Sequence, residues 1–390
     1  MTESKNALEK HYEWKGKIEV VSRVKLDGRE SLSLAYTPGV ADACKQIEKD
    51  PESGFDLTRR WNMVAVITDG TAVLGLGDIG PRASMPVMEG KCALFKEFGG
   101  VDAFPICIDS KDPDEIVRTV KLISYSFGGV NLEDISAPRC FEIEKRLREC
   151  CDIPIFHDDQ HGTAVVAGAA LINACKLTGR KLSKLKAVFS GAGAAACAVA
   201  EFFEGLGVAD IIICNSKGII TEDGMKDEHR KALAARTNPR GIKGGLKDAL
   251  VGADVFIGLS VANLVTKEDI KTMAKAPIVF AMANPVPEIA PEDALEAGAS
   301  VVGTGRSDYY NQINNVLAFP GIFKGALSVR ATDITPAMKR AAAQAIADFT
   351  GDITKERIIP GAFEQGLGEA VAKAVAEAAI EDGVAKAVTK

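Results

Sequence analysis

Two short acidic clusters each close an apolar run. One is Asn131-Leu132-Glu133-Asp134, ahead of Ser136-Ala137-Pro138; the other is Phe156-His157-Asp158-Asp159-Gln160-His161-Gly162. Strand ends of open α/β sheets are where ligand-binding groups gather. Neighbouring residues on a regular strand face opposite ways, so Glu133 and Asp134 can share one ion only where the strand breaks. Ser136–Pro138 offers that break. Three carboxylates (Glu133, Asp134 and Asp159) with no cysteine nearby describe a hard-cation site for Mg²⁺ or Mn²⁺, completed by substrate oxygens and water. His157 and His161 have a helical spacing that suggests zinc, but no third soft ligand is at hand. A plain structural reading also stands: Asp158 or Asp159 caps a helix after Gly162, and Asp134 caps the one after Pro138.

A second pattern concerns phosphate. Leu185–Ser190 is a short apolar run, followed at once by Gly191-Ala192-Gly193-Ala194-Ala195-Ala196 and an Ala-rich helical segment. In strand–turn–helix context, G-x-G-x-x-A is a dinucleotide-binding turn of the Rossmann type. Gly191 permits the tight turn, Gly193 lets the backbone approach a pyrophosphate, and small Ala196 lets helix pack on strand. The helix start adds free N–H groups and a positive dipole end. At the end of the next strand, Asp210–Cys214, the ribose-reading position holds Asn215, with Ser216 and Lys217 behind it. Asn can bond a ribose hydroxyl but lacks the charge that repels a 2′-phosphate. This tilts the cofactor toward NADP, or toward dual use of NAD and NADP. The alternative is that Lys217 is a solvated turn residue.

The elements that must position these groups alternate. Candidate strands are Met63–Ile67, Phe104–Ile108, Asn131–Ile135, Ile153–Phe156, Leu185–Ser190, Asp210–Cys214, Asp254–Gly258, Ile278–Met282 and Ser300–Gly303. Helical periodicity falls between them, over Asp112–Phe127, Pro138–Cys150, Thr163–Leu177 and Ala192–Leu206. This predicts an α/β fold with largely parallel sheets. The last fifth differs: Thr335–Phe349 and Gly368–Val388 are Ala-rich and read as helices without strands. A boundary is expected near Phe156–Gly162, with a cleft between two α/β units as the ligand site.

With 390 residues, 47% hydrophobic and 26% charged, the chain is neither disordered nor short of core. The net charge of −6 argues against a nucleic-acid partner. No apolar run spans a membrane, and the start MTESKNALEKHYEWKGK has no secretory apolar segment, so a cytoplasmic protein is expected. Nine scattered cysteines without a C-x-x-C pair fit reduced, mostly buried thiols.

Taken together, Tyr36-Thr-Pro-Gly-Val40, Thr68-Asp-Gly70, Leu74-Gly-Leu-Gly-Asp78-Ile-Gly80, Pro86-Val-Met-Glu-Gly-Lys91, Leu132-Glu-Asp134, Phe156-His-Asp-Asp159, the dinucleotide turn, Ala283-Asn-Pro285 and Asn314-Asn-Val-Leu-Ala-Phe-Pro-Gly321 resemble the malic enzymes, in the same order. The short length resembles the compact prokaryotic branch. The resemblance implies oxidative decarboxylation of L-malate to pyruvate and CO₂, with NAD or NADP and Mg²⁺ or Mn²⁺. It makes Lys91 the general base and Tyr36 the general acid, and it makes Glu133, Asp134 and Asp159 the metal ligands. Asp158 becomes a further active-site carboxylate, tuning Lys91. Asn284 and Asn315 become substrate and nicotinamide-ribose contacts. It further implies a substrate and metal domain over 1–157, joined by a returning helical segment 316–390, and a Rossmann-like cofactor domain over 158–315. A homodimer or higher homo-oligomer is expected.

One departure stands out. Larger family members carry an arginine after Thr-Asp-Gly that grips a malate carboxylate, and here Ala72 holds the slot. The metal, Asn284, Asn315, Arg82 or a neighbouring subunit must supply that grip. Two competing functions are a non-decarboxylating 2-hydroxy-acid dehydrogenase and a non-catalytic dinucleotide sensor. The three carboxylates argue against the first, because plain hydride transfer needs no divalent cation. Intact Tyr36 and Lys91 argue against the second.

Overall fold

The computed structural model describes residues 6–73 and 75–387; Leu74 and Val388, which fall within expectations above, lie outside them. The chain opens with an arm of α1 (Ala7–Trp14), α2 (Arg29–Ala35) and α3 (Val40–Lys49), none of which buries a residue. After α4 (Gly54–Leu57), a first sheet is built by β1 (Met63–Thr68), α5 (Gly80–Gly99), β2 (Asp102–Cys107), α6 (Pro113–Ile123), β3 (Gly129–Leu132), α7 (Arg139–Cys150) and β4 (Ile155–His157). Its order is β2-β1-β3-β4, all parallel. The central strand β1 is apolar and buried along Val64–Ile67, as expected for a strand covered on both faces.

Helix α8 (Asp158–Thr178) follows. Its residues Ala164–Cys175 are buried all round, mostly small side chains that let it lie between neighbours. A second sheet then forms from β5 (Lys186–Ser190), α9 (Ala194–Gly205), β6 (Asp210–Asn215), β7 (Gly218–Ile219), α10 (Glu228–Arg236), α11 (Leu246–Leu250), β8 (Val255–Gly258), α12 (Lys267–Thr272), β9 (Ile278–Ala281), α13 (Pro291–Glu296) and β10 (Val301–Thr304). The order is β10-β9-β8-β5-β6-β7, parallel except for the antiparallel β7. The direction of winding reverses between β5 and β8, which opens a crevice at their C-terminal ends.

The tail comprises α14 (Phe319–Ser328), α15 (Pro336–Phe349) and α16 (Leu367–Glu381). Phe319 and Phe323 of α14 meet Phe95 of α5 edge-on, with ring centroids 4.6 and 5.3 Å apart. Burying each such side chain contributes about 1.5–3 kcal/mol. Thr335 caps α15: its Oγ1 accepts the Met338 N–H at 3.2 Å and donates to Asp382 Oδ2, with Pro336 at the first turn.

The expected strands are all present, with ends shifted by at most three residues; β7 is additional. Helix α8 begins at Asp158 rather than Thr163, so the two aspartates occupy its first turn, where the helix dipole favours negative charge. The helix predicted to Val388 ends at Glu381. Six of the nine cysteines are buried, and Cys44 is exposed. Among the described residues no helix is long and apolar enough to cross a membrane.

Candidate active site

The register of the first sheet assembles the acidic clusters. Leu132 pairs with His157 at the last rung of β3 and β4, so Glu133 and Asp158 leave the sheet side by side. The strand break comes earlier than Ser136–Pro138, where the sequence offers it: β3 stops at Leu132, ahead of Glu133, and Asp134 takes a left-handed φ of 54°. Glu133, Asp134 and Asp159 each offer an oxygen within 4.8 Å of the others. Asp159 Oδ2 also accepts the Asp134 backbone N–H at 2.7 Å. Asn131 Nδ2 donates to Glu133 Oε2 at 2.8 Å.

Lys91, on α5, is buried against this trio. Its Nζ lies 2.9 Å from Glu133 Oε1 and 2.5 Å from Asp158 Oδ2, and 4.1 Å from the centre of the Phe319 ring. Asn315 Nδ2 donates to the same Asp158 oxygen. Gly70 makes the approach of α5 possible: at φ 70° a Cβ there would stand 2.3 Å from the Gly80 carbonyl. Gly162 performs a similar service one turn into α8, where a Cβ would fall 1.9 Å from Asp158 Oδ1.

The electrostatics favour a cation. Burial pushes the carboxyls of Glu133, Asp134, Asp158 and Asp159 up, and mutual repulsion adds to it; Asp134 reaches about 9 and Glu133 about 7. Among the described residues, Asp134 Oδ2 and Asp158 Oδ1 are buried without a hydrogen-bond partner. An orphaned Asp134 oxygen beside the converging oxygens of Glu133 and Asp159 fits a hard divalent ion. Burial pulls the Lys91 amine down, but Asp158 and Glu133 outweigh it and hold the amine above its ordinary value.

The histidines do not join. His161 Nε2 sits 2.7 Å from Glu144 Oε1, and its Nδ1 accepts from Lys339 Nζ at 3.2 Å. His157 is fully buried, and burial keeps its ring below the ordinary pKa, hence neutral. A cavity of about 1060 Å³, lined in part by Glu144, His161 and Lys339, has none of Lys91, Glu133, Asp134 or Asp159 on its wall. A smaller one of about 490 Å³ does reach the site: Asp159 lines it together with Ala72, Gly193, Asn215 and Arg230.

The dinucleotide turn has the expected form. Gly191 adopts φ 114°, and a Cβ there would meet the Leu259 carbonyl at 2.4 Å. Gly193 faces open space, and Ala196 is buried at the foot of α9. Beside the turn, Asn215, Ser216, Lys217, Leu246, Val261 and Leu264 line a cavity of about 520 Å³. Asn215 Oδ1 accepts the Lys217 N–H at 2.8 Å, which leaves the Asn215 amide hydrogens free to donate.

Three expected residues make no hydrogen bond or ion pair with the cluster among the described residues. Tyr36 is 68% exposed, and among the described residues no side-chain hydrogen bond or aromatic contact ties it to Lys91 or the carboxylates. Its arm leads into β1 through α4 and also touches α5, the helix of Lys91: the Lys17 N–H donates to Glu89 Oε2 at 3.2 Å and Lys17 Nζ to the Pro86 carbonyl at 2.6 Å. Asn284 is exposed on the loop after β9. Arg82 is exposed and makes no ion pair among the described residues.

Two arginines escaped sequence reasoning. Arg139 lies 2.7 Å from buried Asp69 and donates to Thr71 Oγ1 at 2.9 Å. It therefore braces the loop carrying Ala72, with its charge already partnered. Arg230 donates to Asp227 Oδ2 at 2.5 Å and to the Ala192 carbonyl at 3.4 Å. Its only sequence signal was a basic residue on a helix after the ribose-reading strand.

Residues 15–148 match the family model described as "Malic enzyme, N-terminal domain", and residues 160–380 match "Malic enzyme, NAD binding domain". The chain is 56% identical over 391 residues to the bifunctional malic/malolactic enzyme of Bacillus subtilis, covering 99% of this chain and 95% of that protein. It is 55% identical over 374 residues to the NAD-dependent malic enzyme of Geobacillus stearothermophilus, covering 95% and 78%. The crystal structure of malic enzyme from Pyrococcus horikoshii superposes with a TM-score of 0.95 at 46% identity, covering 99% of this chain and 93% of that one.

Proposed function

The chain belongs to the malic enzyme family, and on that premise we propose that it oxidises L-malate to pyruvate and CO₂ with NAD or NADP at the Lys91 cluster. One observation carries the assignment of the site: the Lys91 amine lies between Glu133 and Asp158, beside carboxylates that converge on one point.

In this reading Lys91 accepts the C2 hydroxyl proton while hydride leaves C2 for the nicotinamide. A lysine acts so only when neutral. Glu133, Asp134 and Asp159 would hold Mg²⁺ or Mn²⁺, whose charge would offset the negative carboxylates that keep Lys91 protonated and would polarise the C2 oxygen. Asp158, with Asn315 on the same oxygen, orients the amine. Loss of CO₂ from the resulting keto acid leaves an enolate, and Tyr36 protonates C3. The proton taken at C2 equals the one returned at C3, so the overall reaction releases none.

Gly191, Gly193 and Ala196 receive the pyrophosphate; Asn215, Ser216 and Lys217, with Arg230 nearby, meet the adenosine ribose and tilt the choice toward NADP or dual use. Asn284 contacts the nicotinamide ribose. Units 1–157 with 316–390, and 158–315, divide substrate from cofactor. Tyr36 belongs to an arm that also exposes Tyr12, Trp14, Val21 and Leu34. An apolar surface of this kind is covered by a second copy in closed assemblies. The working unit in this proposal is a homodimer or higher homo-oligomer, in which one arm delivers Tyr36 to the partner's site. Free cysteines fit the cytoplasm.

The test is an assay with L-malate, NAD or NADP, and Mn²⁺ or a chelator, in which reduced cofactor, pyruvate, oxaloacetate and lactate are measured together. Equal yields of reduced cofactor and pyruvate, abolished by the chelator, are expected. Oxaloacetate without pyruvate means a plain dehydrogenase, and cofactor binding without turnover means a sensor. Lactate would extend the reaction to the one for which the Bacillus relative is also named.

A further inference from the structure

One buried carboxylate outside the Lys91 cluster ties together the loops that frame the cofactor crevice. Glu288 is fully buried in the loop after β9. Its Oε1 accepts the Ser260 backbone N–H at 2.8 Å and the Ser260 hydroxyl at 3.3 Å. Its Oε2 accepts the Ala283 N–H at 3.1 Å. Ser260 follows β8, and its hydroxyl lies 2.8 Å from that of Ser190 at the end of β5. Backbone bonds repeat the link: Asn263 N–H to the Pro287 carbonyl and Val265 N–H to the Glu288 carbonyl, both at 3.0 Å.

These contacts gather where the winding of the second sheet reverses. Ser190, Ser260, Val261 and Leu264 line the cavity beside Gly191. Ala283, held from the other oxygen, precedes Asn284. The end of β8 is shaped for the carboxylate: a Cβ on Gly258 would meet Glu288 Cδ at 2.3 Å, so glycine alone leaves the space.

We propose that Glu288 is a positioning residue for the cofactor, its two oxygens holding the Ser260 loop and the Asn284 loop in the geometry that receives NAD(P). This rests on the reading of the Gly191–Ala196 turn as a dinucleotide site. A carboxylate accepts hydrogen bonds on both sides; a glutamine of the same shape turns an NH₂ toward one of the N–H donors. The charge pattern, not the volume, is what the substitution changes.

The experiment compares wild type with Glu288→Gln. Binding of NADH and NADPH is followed by their fluorescence without malate, alongside KM, kcat and melting temperature. The dissociation constants are expected to rise about tenfold, with KM for malate within about twofold of wild type. A purely structural role would lower the melting temperature and leave the affinity of the folded protein unchanged. That result overturns the proposal. Gly258→Ala keeps the carboxylate but displaces it, and the same weakening is expected; wild-type affinity there contradicts the proposal even if Glu288→Gln fails to fold. Wild type that binds neither cofactor overturns the dinucleotide reading instead.

Discussion

Asp158 holds the Lys91 amine at 2.5 Å, and only the absence of a side chain at Gly162 leaves its carboxylate room to do so. A methyl group at that position would occupy the space of Oδ1. Gly162→Ala is therefore expected to lower kcat by about tenfold or more while cofactor affinity holds, since misplacing a proton acceptor by an ångström costs this much. Steady-state kinetics with a cofactor titration checks it; unchanged kcat would separate Asp158 from the function of Lys91.

If the acidic cluster holds a cation, as proposed, the stabilisation it gives depends on pH. When a carboxyl has a raised pKa in the folded state, folding retains protons that the unfolded chain releases, so stability falls as pH climbs through that interval. With Asp159 and Asp158 pushed up to about 6, Glu133 to about 7 and Asp134 to about 9, the interval opens at about 4 and closes at about 9. Mn²⁺ removes the penalty where the carboxylates must be ionised. Melting curves should show a larger stabilisation by Mn²⁺ at about pH 8 than at about pH 5. An equal rise at both, or none, would speak against a metal centre here.

Asn215 bears on cofactor choice. Introducing the missing charge with Asn215→Asp should repel a 2′-phosphate, reducing kcat/KM for NADP about tenfold to a hundredfold and that for NAD by less than about threefold. Parallel kinetics with the two cofactors measures this. Equal losses would locate the 2′-position elsewhere.

The convergence of the acidic cluster is legible in the sequence. Glu133, Asp134, Asp158 and Asp159 each follow an apolar strand, and strand ends in parallel sheets point to one rim. The helix carrying Lys91 was not legible. It opens on Gly80 and Pro81 and carries Pro86 and Gly90 inside, and Pro86 removes a backbone donor. Packing of Met88, Cys92 and Phe95 on one face outweighs that local cost. Arg139 on Asp69 and Lys339 on His161 pair residues far apart in the chain, which no local pattern announces. The two-residue β7 is too short for periodicity to register.

The exposure of Tyr36 makes the shared-arm arrangement testable by mixing. Tyr36→Phe and Lys91→Ala are each expected to be nearly inactive. If the arm serves a partner, refolding the two together restores one intact site in each mixed dimer, and about a quarter of wild-type activity with random pairing. If Tyr36 serves its own chain, every site stays defective and no activity returns.

The most direct measurement is the yield of reduced cofactor and pyruvate from L-malate and Mn²⁺ in Lys91→Ala beside wild type, with cofactor affinity determined on both samples. Turnover by the variant should fall about a hundredfold to ten-thousandfold, the span of a lost general base, at unchanged cofactor affinity. Malate oxidation by Lys91→Ala at the wild-type rate would contradict the account.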